Sequence, residues 1–111
     1  MLTIPASLKI YISTQALDMR KSLDGMSAIV SQGLKKDVFS GQLFVFCNKR
    51  GDKIKIFYWD RNGYCCWYKR LERGVFRLPR VSGASCCISA SELGLILEGI
   101  DLHHPQRLRA L

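Results

Sequence analysis

KIKIFYWDRNGYCCWYKRLERG, residues 53–74, decides how this chain is built, because it gathers six aromatic and six basic side chains around one Asn62-Gly63 pair. Asn-Gly favours a type I′ turn, in which both central residues take positive φ, and it ties two strands into a two-residue hairpin. The register that follows sets Ile54 opposite Leu71, Ile56 opposite Lys69 and Tyr58 opposite Trp67 on one face. The other face then carries Lys53 opposite Glu72, Lys55 opposite Arg70, Phe57 opposite Tyr68 and Trp59 opposite Cys66. The first face is mostly apolar and should meet helices, with Lys69 bending its ammonium out to water at the margin. The second is a mixed cationic and aromatic surface. Like charges directly opposite each other, as in Lys55 and Arg70, destabilise a sheet unless an anion or acidic partner lies near them. Such a surface suits phosphate contacts by Lys and Arg and base or sugar contacts by rings. The alternative is that Phe57 and Trp59 fill a second small core under the N-terminal strand.

Outward from the hairpin, Gly41, Gly51, Gly63, Gly74 and Gly83 recur at intervals of 10, 12, 11 and 9 residues, the turn spacing of an antiparallel meander. Between them LFVFC, KIKIFYW, YCCWYKRL and VFRLP are rich in β-branched and aromatic residues and read as four strands. LFVFC is apolar throughout, as a strand covered on both faces should be. KIYIS, residues 9–13, can join the sheet as a fifth strand. In DMRKSLDGMSAIVSQGL, Asp18 is a candidate N-cap, Met19, Leu23, Met26 and Val30 form one apolar stripe, and Gly33 can end the helix. Ser89 and Glu92 have capping-box spacing before Leu93, Ile96, Leu97 and Ile100, and Pro105 stops that second helix. The expected fold class is α+β: a four-stranded antiparallel meander, extended to five if KIYIS joins, in the order β-α-β-β-β-β-α, with both helices on one face. At 111 residues the chain suits one compact domain, residues 1–111.

The formal net charge is +8, and residues 49–80 hold ten bases against three acids. A field so concentrated favours phosphate backbones or acidic protein surfaces, although a solvated basic face alone would also confer solubility. No stretch approaches the roughly 20 apolar residues that span a bilayer, and the N-terminus lacks a basic segment followed by a long apolar run, so a cytoplasmic protein is expected. Cys47, Cys65, Cys66, Cys86 and Cys87 are odd in number and partly adjacent. They suit neither disulfides nor zinc, which favours a C-x2-C step, and read as core-filling thiols. The acids show no converging carboxylate pattern for two-metal chemistry: Asp18 caps a helix, Asp24 lies on its face, Asp52 and Asp60 sit at turns, and Glu72 pairs across the hairpin. His103 and His104 assemble with no nucleophile, and no phosphate-cradling glycine loop is present. The expectation is therefore no catalytic residue, no metal and no cofactor.

DMRKSLDG at 18–25, FSGQLFVFCNKR at 39–50, KIKIFYWDRNGYCCWYKRLERGVF at 53–76 and SELGLILEGIDL near the end together resemble the second open reading frame protein of the insertion-sequence-66 family of bacterial transposons. The chain departs from that pattern in cysteine content, at Cys66 and Cys86-Cys87. The resemblance implies an accessory protein of bacterial transposition, distinct from the larger transposase that cuts and joins DNA. It directs attention to DNA at element ends, the separate transposase and a sister accessory protein as partners. With the charge pattern, the candidate nucleic-acid-binding residues are Lys49, Arg50, Lys53, Lys55, Trp59, Tyr68, Arg70, Arg73 and Arg77. The competing reading is an adaptor in which Trp59 or Tyr68 anchors the same surface on the transposase, without DNA. Oligomeric state is open: VFRLP is an expected exposed edge, which Pro79 and the nearby arginines protect from long pairing.

Overall fold

The computed structural model describes Pro5 and residues 7–100. The elements run β1 (Ile10–Ser13), α1 (Leu23–Ala28), β2 (Leu43–Cys47), β3 (Lys53–Asp60), β4 (Gly63–Arg70), β5 (Ser85–Ile88) and α2 (Ala90–Glu98), with a π-helical turn, Ile29–Gly33, continuing α1. They make an α+β fold on one five-stranded sheet of order β4-β3-β2-β1-β5.

Three strands, β2-β3-β4, form the expected antiparallel meander, and KIYIS does join it as β1. The remainder differs. β1 runs parallel to β2, with Ile10 opposite Leu43, because α1 carries the chain back over the sheet between them. The fourth partner is not VFRLP but the short SCCI segment β5, which pairs antiparallel with β1 through Ile10–Ile88 and Ser13–Ser85. VFRLP forms a single bridge, Val75 to Ile100. Phe76 N–H donates to the Gly51 carbonyl at 2.8 Å, which pins this segment across the end of the sheet, and Pro79 has no N–H with which to continue a ladder. Among the described residues the sheet edges are therefore β4 and β5, not VFRLP.

Strand alternation divides the core in two. Ile10, Ile12, Leu43, Val45, Ile54 and Ile56 point to the side where α2 supplies Leu93, Ile96 and Leu97. Phe44, Phe46 and Phe57 point to the other side, where α1 and the π-helical turn supply Met26 and Val30. The helices thus cover opposite faces, not one face as expected. β2 lies between them and all five of its residues are buried, which accounts for the uninterrupted apolar run LFVFC.

Caps fix the helix starts. Ser89 and Glu92 form the expected capping box at α2. At α1 the cap is Ser22, whose hydroxyl accepts from Gly25 N–H. Asp18 instead accepts from Arg20 through both its backbone N–H and its guanidinium, contacts that hold its carboxyl far below the ordinary carboxylate range. Met26 and Val30 of the expected stripe are buried, whereas Leu23 is 40% exposed. α2 ends at Gly99, φ +73° and ψ 177°, a region open essentially to glycine alone. His103, His104 and Pro105 lie outside the described residues.

Candidate nucleic-acid interface

The hairpin keeps its predicted faces and changes its register. Asp60 pairs with Gly63, so Arg61 and Asn62 make the turn; Arg61 takes φ +52° and Asn62 N–H donates to the Asp60 carbonyl. Every pair is displaced by two residues from the expected one: Lys53 faces Arg70, Lys55 faces Tyr68, Phe57 faces Cys66 and Trp59 faces Tyr64. A slide of two preserves the side of each residue. Ile54, Ile56, Tyr58, Trp67 and Leu71 accordingly join or pack against the α2-side core, as their alternation predicts.

The other face is less wet than expected. Phe57 is fully buried, its ring 5.2 Å from that of Tyr64. Trp59 is half-buried and stands edge-on to Phe39 and Tyr64, at 5.0 and 5.1 Å. The second-core alternative therefore holds for Phe57, and Trp59 belongs to a ring cluster at the hairpin tip. Trp59 is six residues along β3 from Lys53, roughly 20 Å at strand rise. The sequence-level picture of interleaved rings and cations separates into an aromatic end and a basic end.

Two lysines of the hairpin serve the fold. Lys55 Nζ donates to the Met19 carbonyl at 2.7 Å, tethering the segment before α1, with the Tyr68 ring 5.8 Å from its ammonium. Lys69 does not run out to water; its Nζ donates to the Leu97 carbonyl at 2.8 Å, closing the C-terminal turn of α2, where a cation also complements the helix dipole. Hydrogen bonds involving a charged partner contribute about 1.5–3 kcal/mol. Lys55→Met and Lys69→Met are each expected to cost about 1–3 kcal/mol in urea unfolding. Lys55→Met should leave DNA affinity within about twofold, because its ammonium is already engaged.

The basic end is organised by the turn Asn48–Asp52. Asn48 Oδ1 accepts from the N–H groups of Gly51 and Lys53, both at 3.0 Å, and its Nδ2 donates to Asp52 at 2.8 Å. That amide contact, then the neighbouring Lys53 and Arg50 charges, holds the Asp52 carboxyl below its ordinary range. Gly51 takes φ +87° and comes against Val75, where a Cβ would lie 3.5 Å from the valine Cβ. The Gly51 and Asp52 carbonyls accept from Phe76 and Leu71, both at 2.8 Å, so the segment bearing Arg73 is fixed to the turn bearing Lys49 and Arg50. Lys53 and Arg70 pair at the adjoining end of the hairpin.

Lys49, Arg50, Lys53, Arg70, Arg73 and Arg77 thus converge on one hydrogen-bonded end of the molecule. Among the described residues, Asp52 lies 4.0 Å from both Arg50 and Lys53, and Glu72 lies 3.0 Å from Arg70. The like charges of Lys53 and Arg70 therefore each have a carboxylate near them, as the cross-strand argument requires. Arg50 and Glu72 side chains are 83% and 80% exposed, and ion pairs in such positions contribute about 0–1 kcal/mol, so water or a phosphate can replace them. Tyr68 is exposed midway along the hairpin, and Lys55 and Trp59 stand apart from the basic end. Sequence reasoning missed Asn48, Gly51 and Asp52 as its builders; the signal was Asn-x-x-Gly-Asp, a side chain able to bond its own backbone beside a positive-φ glycine.

All five cysteines are thiols, and burial pushes those of Cys47, Cys66 and Cys86 upward. No cluster of three or more His, Cys, Asp or Glu suited to a metal ion occurs among the described residues. Among the same residues no helix is long and apolar enough to cross a membrane.

A family profile described as IS66 Orf2 like protein matches residues 8–107. The uncharacterized protein y4hO of Sinorhizobium fredii (strain NBRC 101917 / NGR234) is 36% identical over 106 residues, covering 96% of this chain and 92% of that protein. Protein y4jC of the same organism is also 36% identical, over 94 residues, covering 85% and 80%. No solved structure gives a significant match. With the profile spanning nearly the whole chain and one relative aligned almost end to end, the chain belongs to the IS66 Orf2-like family of insertion-sequence accessory proteins.

Proposed function

We propose that this protein is a non-catalytic accessory factor of insertion-sequence transposition that holds DNA at element ends through its basic end, alongside the separate transposase and a sister accessory protein. The observation that carries the reading is the convergence of Lys49, Arg50, Lys53, Arg70, Arg73 and Arg77 on one rigid turn-and-hairpin assembly. These cations, set around Asp52 and Glu72, give a surface that phosphates can approach. Its rigidity means that ordering those backbone segments costs little on binding. Tyr68, exposed beside it, can lie against a sugar or base.

The test is a salt titration of binding to duplex DNA from the element end, followed by fluorescence anisotropy. With roughly five phosphates neutralised, log K should fall against log salt with a slope of about −4 to −5. Absence of binding at low salt, or a flat dependence, would defeat the proposal.

A second reading has one observation in its favour. Phe39 is 59% exposed and packs edge-on against Trp59 at the hairpin tip, away from Lys53 and Arg70, a ring surface suited to anchoring a protein partner. If the protein is an adaptor on the transposase without DNA affinity of its own, Trp59→Ala should abolish transposase pull-down, while the salt titration shows nothing to lose.

A further inference from the structure

Beside the basic end, three adjoining depressions of about 540, 320 and 180 Å³ share Leu78 on their walls. They run from Ile100 after α2, past Ile12 and Thr14 at the C-terminal end of β1, to Asn48 and Lys49 in the turn after β2. Leu78, Ile12 and Ile100 make the floor apolar. Lys49, Arg77 and Arg80 stand on the rim, and none of the three forms an ion pair among the described residues. The chain along one side, residues 77–82, makes no backbone hydrogen bond among the described residues.

We propose that this groove binds an extended acidic peptide, with an apolar side chain over Leu78 and flanking carboxylates on Arg77, Arg80 and Lys49. The apolar floor at Leu78 and Ile12 suits a hydrophobic side chain better than a phosphate. An extended strand can lie along the three depressions beside residues 77–82, with carboxylate–guanidinium contacts supplying selectivity. The groove lies apart from the ring cluster but shares Lys49 and Arg77 with the basic end, so an acidic peptide seated there competes with DNA for those two side chains. The inference does not depend on the DNA reading.

The experiment is selection of a random nine-residue peptide display library on the full chain, followed by fluorescence polarisation with a recovered peptide. The expected consensus is Asp or Glu flanking Leu, Ile or Phe. Arg80→Glu, at an exposed position, should weaken that peptide at least tenfold with an unchanged melting temperature, and changing the peptide's Glu to Gln should do the same. Arg80→Gln provides a second variant with smaller perturbation and an intermediate loss. Lys53→Glu with Arg70→Glu should leave peptide affinity within twofold while removing any DNA binding. Failure to enrich peptides, a basic or uncharged consensus, or indifference to Arg80→Glu would overturn the proposal. Retained DNA binding alongside any of these results would leave the DNA reading standing by itself.

Discussion

Phe57→Ala is expected to remove about 3–5 kcal/mol of stability, the range for deleting a fully buried phenylalanine where the cavity cannot collapse. Phe57 has no exposed surface and sits opposite Phe44 in β2 and Cys66 in β4, with the Tyr64 ring above it. Sheet hydrogen bonds hold its backbone on both sides, so neighbours cannot close over the void. Tyr64 is further restrained by its hydroxyl, 3.0 Å from Ser27 Oγ in α1. Domains are commonly stable by only about 5–15 kcal/mol, so this substitution alone approaches the threshold of unfolding. Urea denaturation followed by the fluorescence of Trp59 and Trp67 reads the change directly. A loss under about 1 kcal/mol would mean that α1 is not packed on the sheet as described.

The second large effect is on association. Replacing Lys49, Arg50 and Arg77 together with alanine should reduce the salt slope by about 0.9 per lost phosphate contact and lower DNA affinity by about 10²–10³-fold near 0.1 M salt. All three side chains are exposed, and among the described residues Arg50 alone of them has an ion pair, at 4.0 Å, so stability should stay within about 0.5 kcal/mol per position. That combination separates a contact surface from a structural one. An unchanged slope in the folded variant would remove these residues from the interface and shift attention to Lys53, Arg70 and Arg73. Lys55 provides the internal contrast: it lies within the same charge-rich stretch, yet its ammonium is engaged by the Met19 carbonyl and its loss should be felt in folding.

The parts of the fold that were legible were those written as local periodicity. Alternation in β3 assigned Ile54, Ile56 and Tyr58 to one side, and the unbroken apolar run LFVFC marked a strand covered on both faces. The hairpin register was not legible, because moving the pairing by two residues returns every side chain to its own face and leaves burial nearly unchanged. Asn62-Gly63 suggested the centre of the turn, but the chain turns one residue earlier, through Arg61. β5 was missed because four residues of Ser, Cys and Ile carry too short a pattern, and VFRLP drew attention for its β-branched and aromatic content, although what it supplies is Phe76 to the core. The parallel β1–β2 pair was implicit in the β-α-β order, since a helical return brings the second strand back in the same direction. For the candidate site, sequence located the bases. It could not separate Lys55 and Lys69, which tether backbone carbonyls, from Lys49 and Arg77, which do not, because those partners lie 36 and 28 residues away.

The placement of β1 between β2 and β5 joins the earliest strand among the described residues to the last: Ile10 lies opposite both Leu43 and Ile88. During synthesis, the β3–β4 hairpin can close from neighbouring residues soon after they emerge, whereas β1 must wait for a segment some 75 positions later before its second side is covered. Until then the nascent chain presents the apolar KIYIS ribbon as an open edge, the kind of surface that recruits other unfinished chains. Covering that edge is thus a late step, and β5 with α2 acts as the latch that completes it.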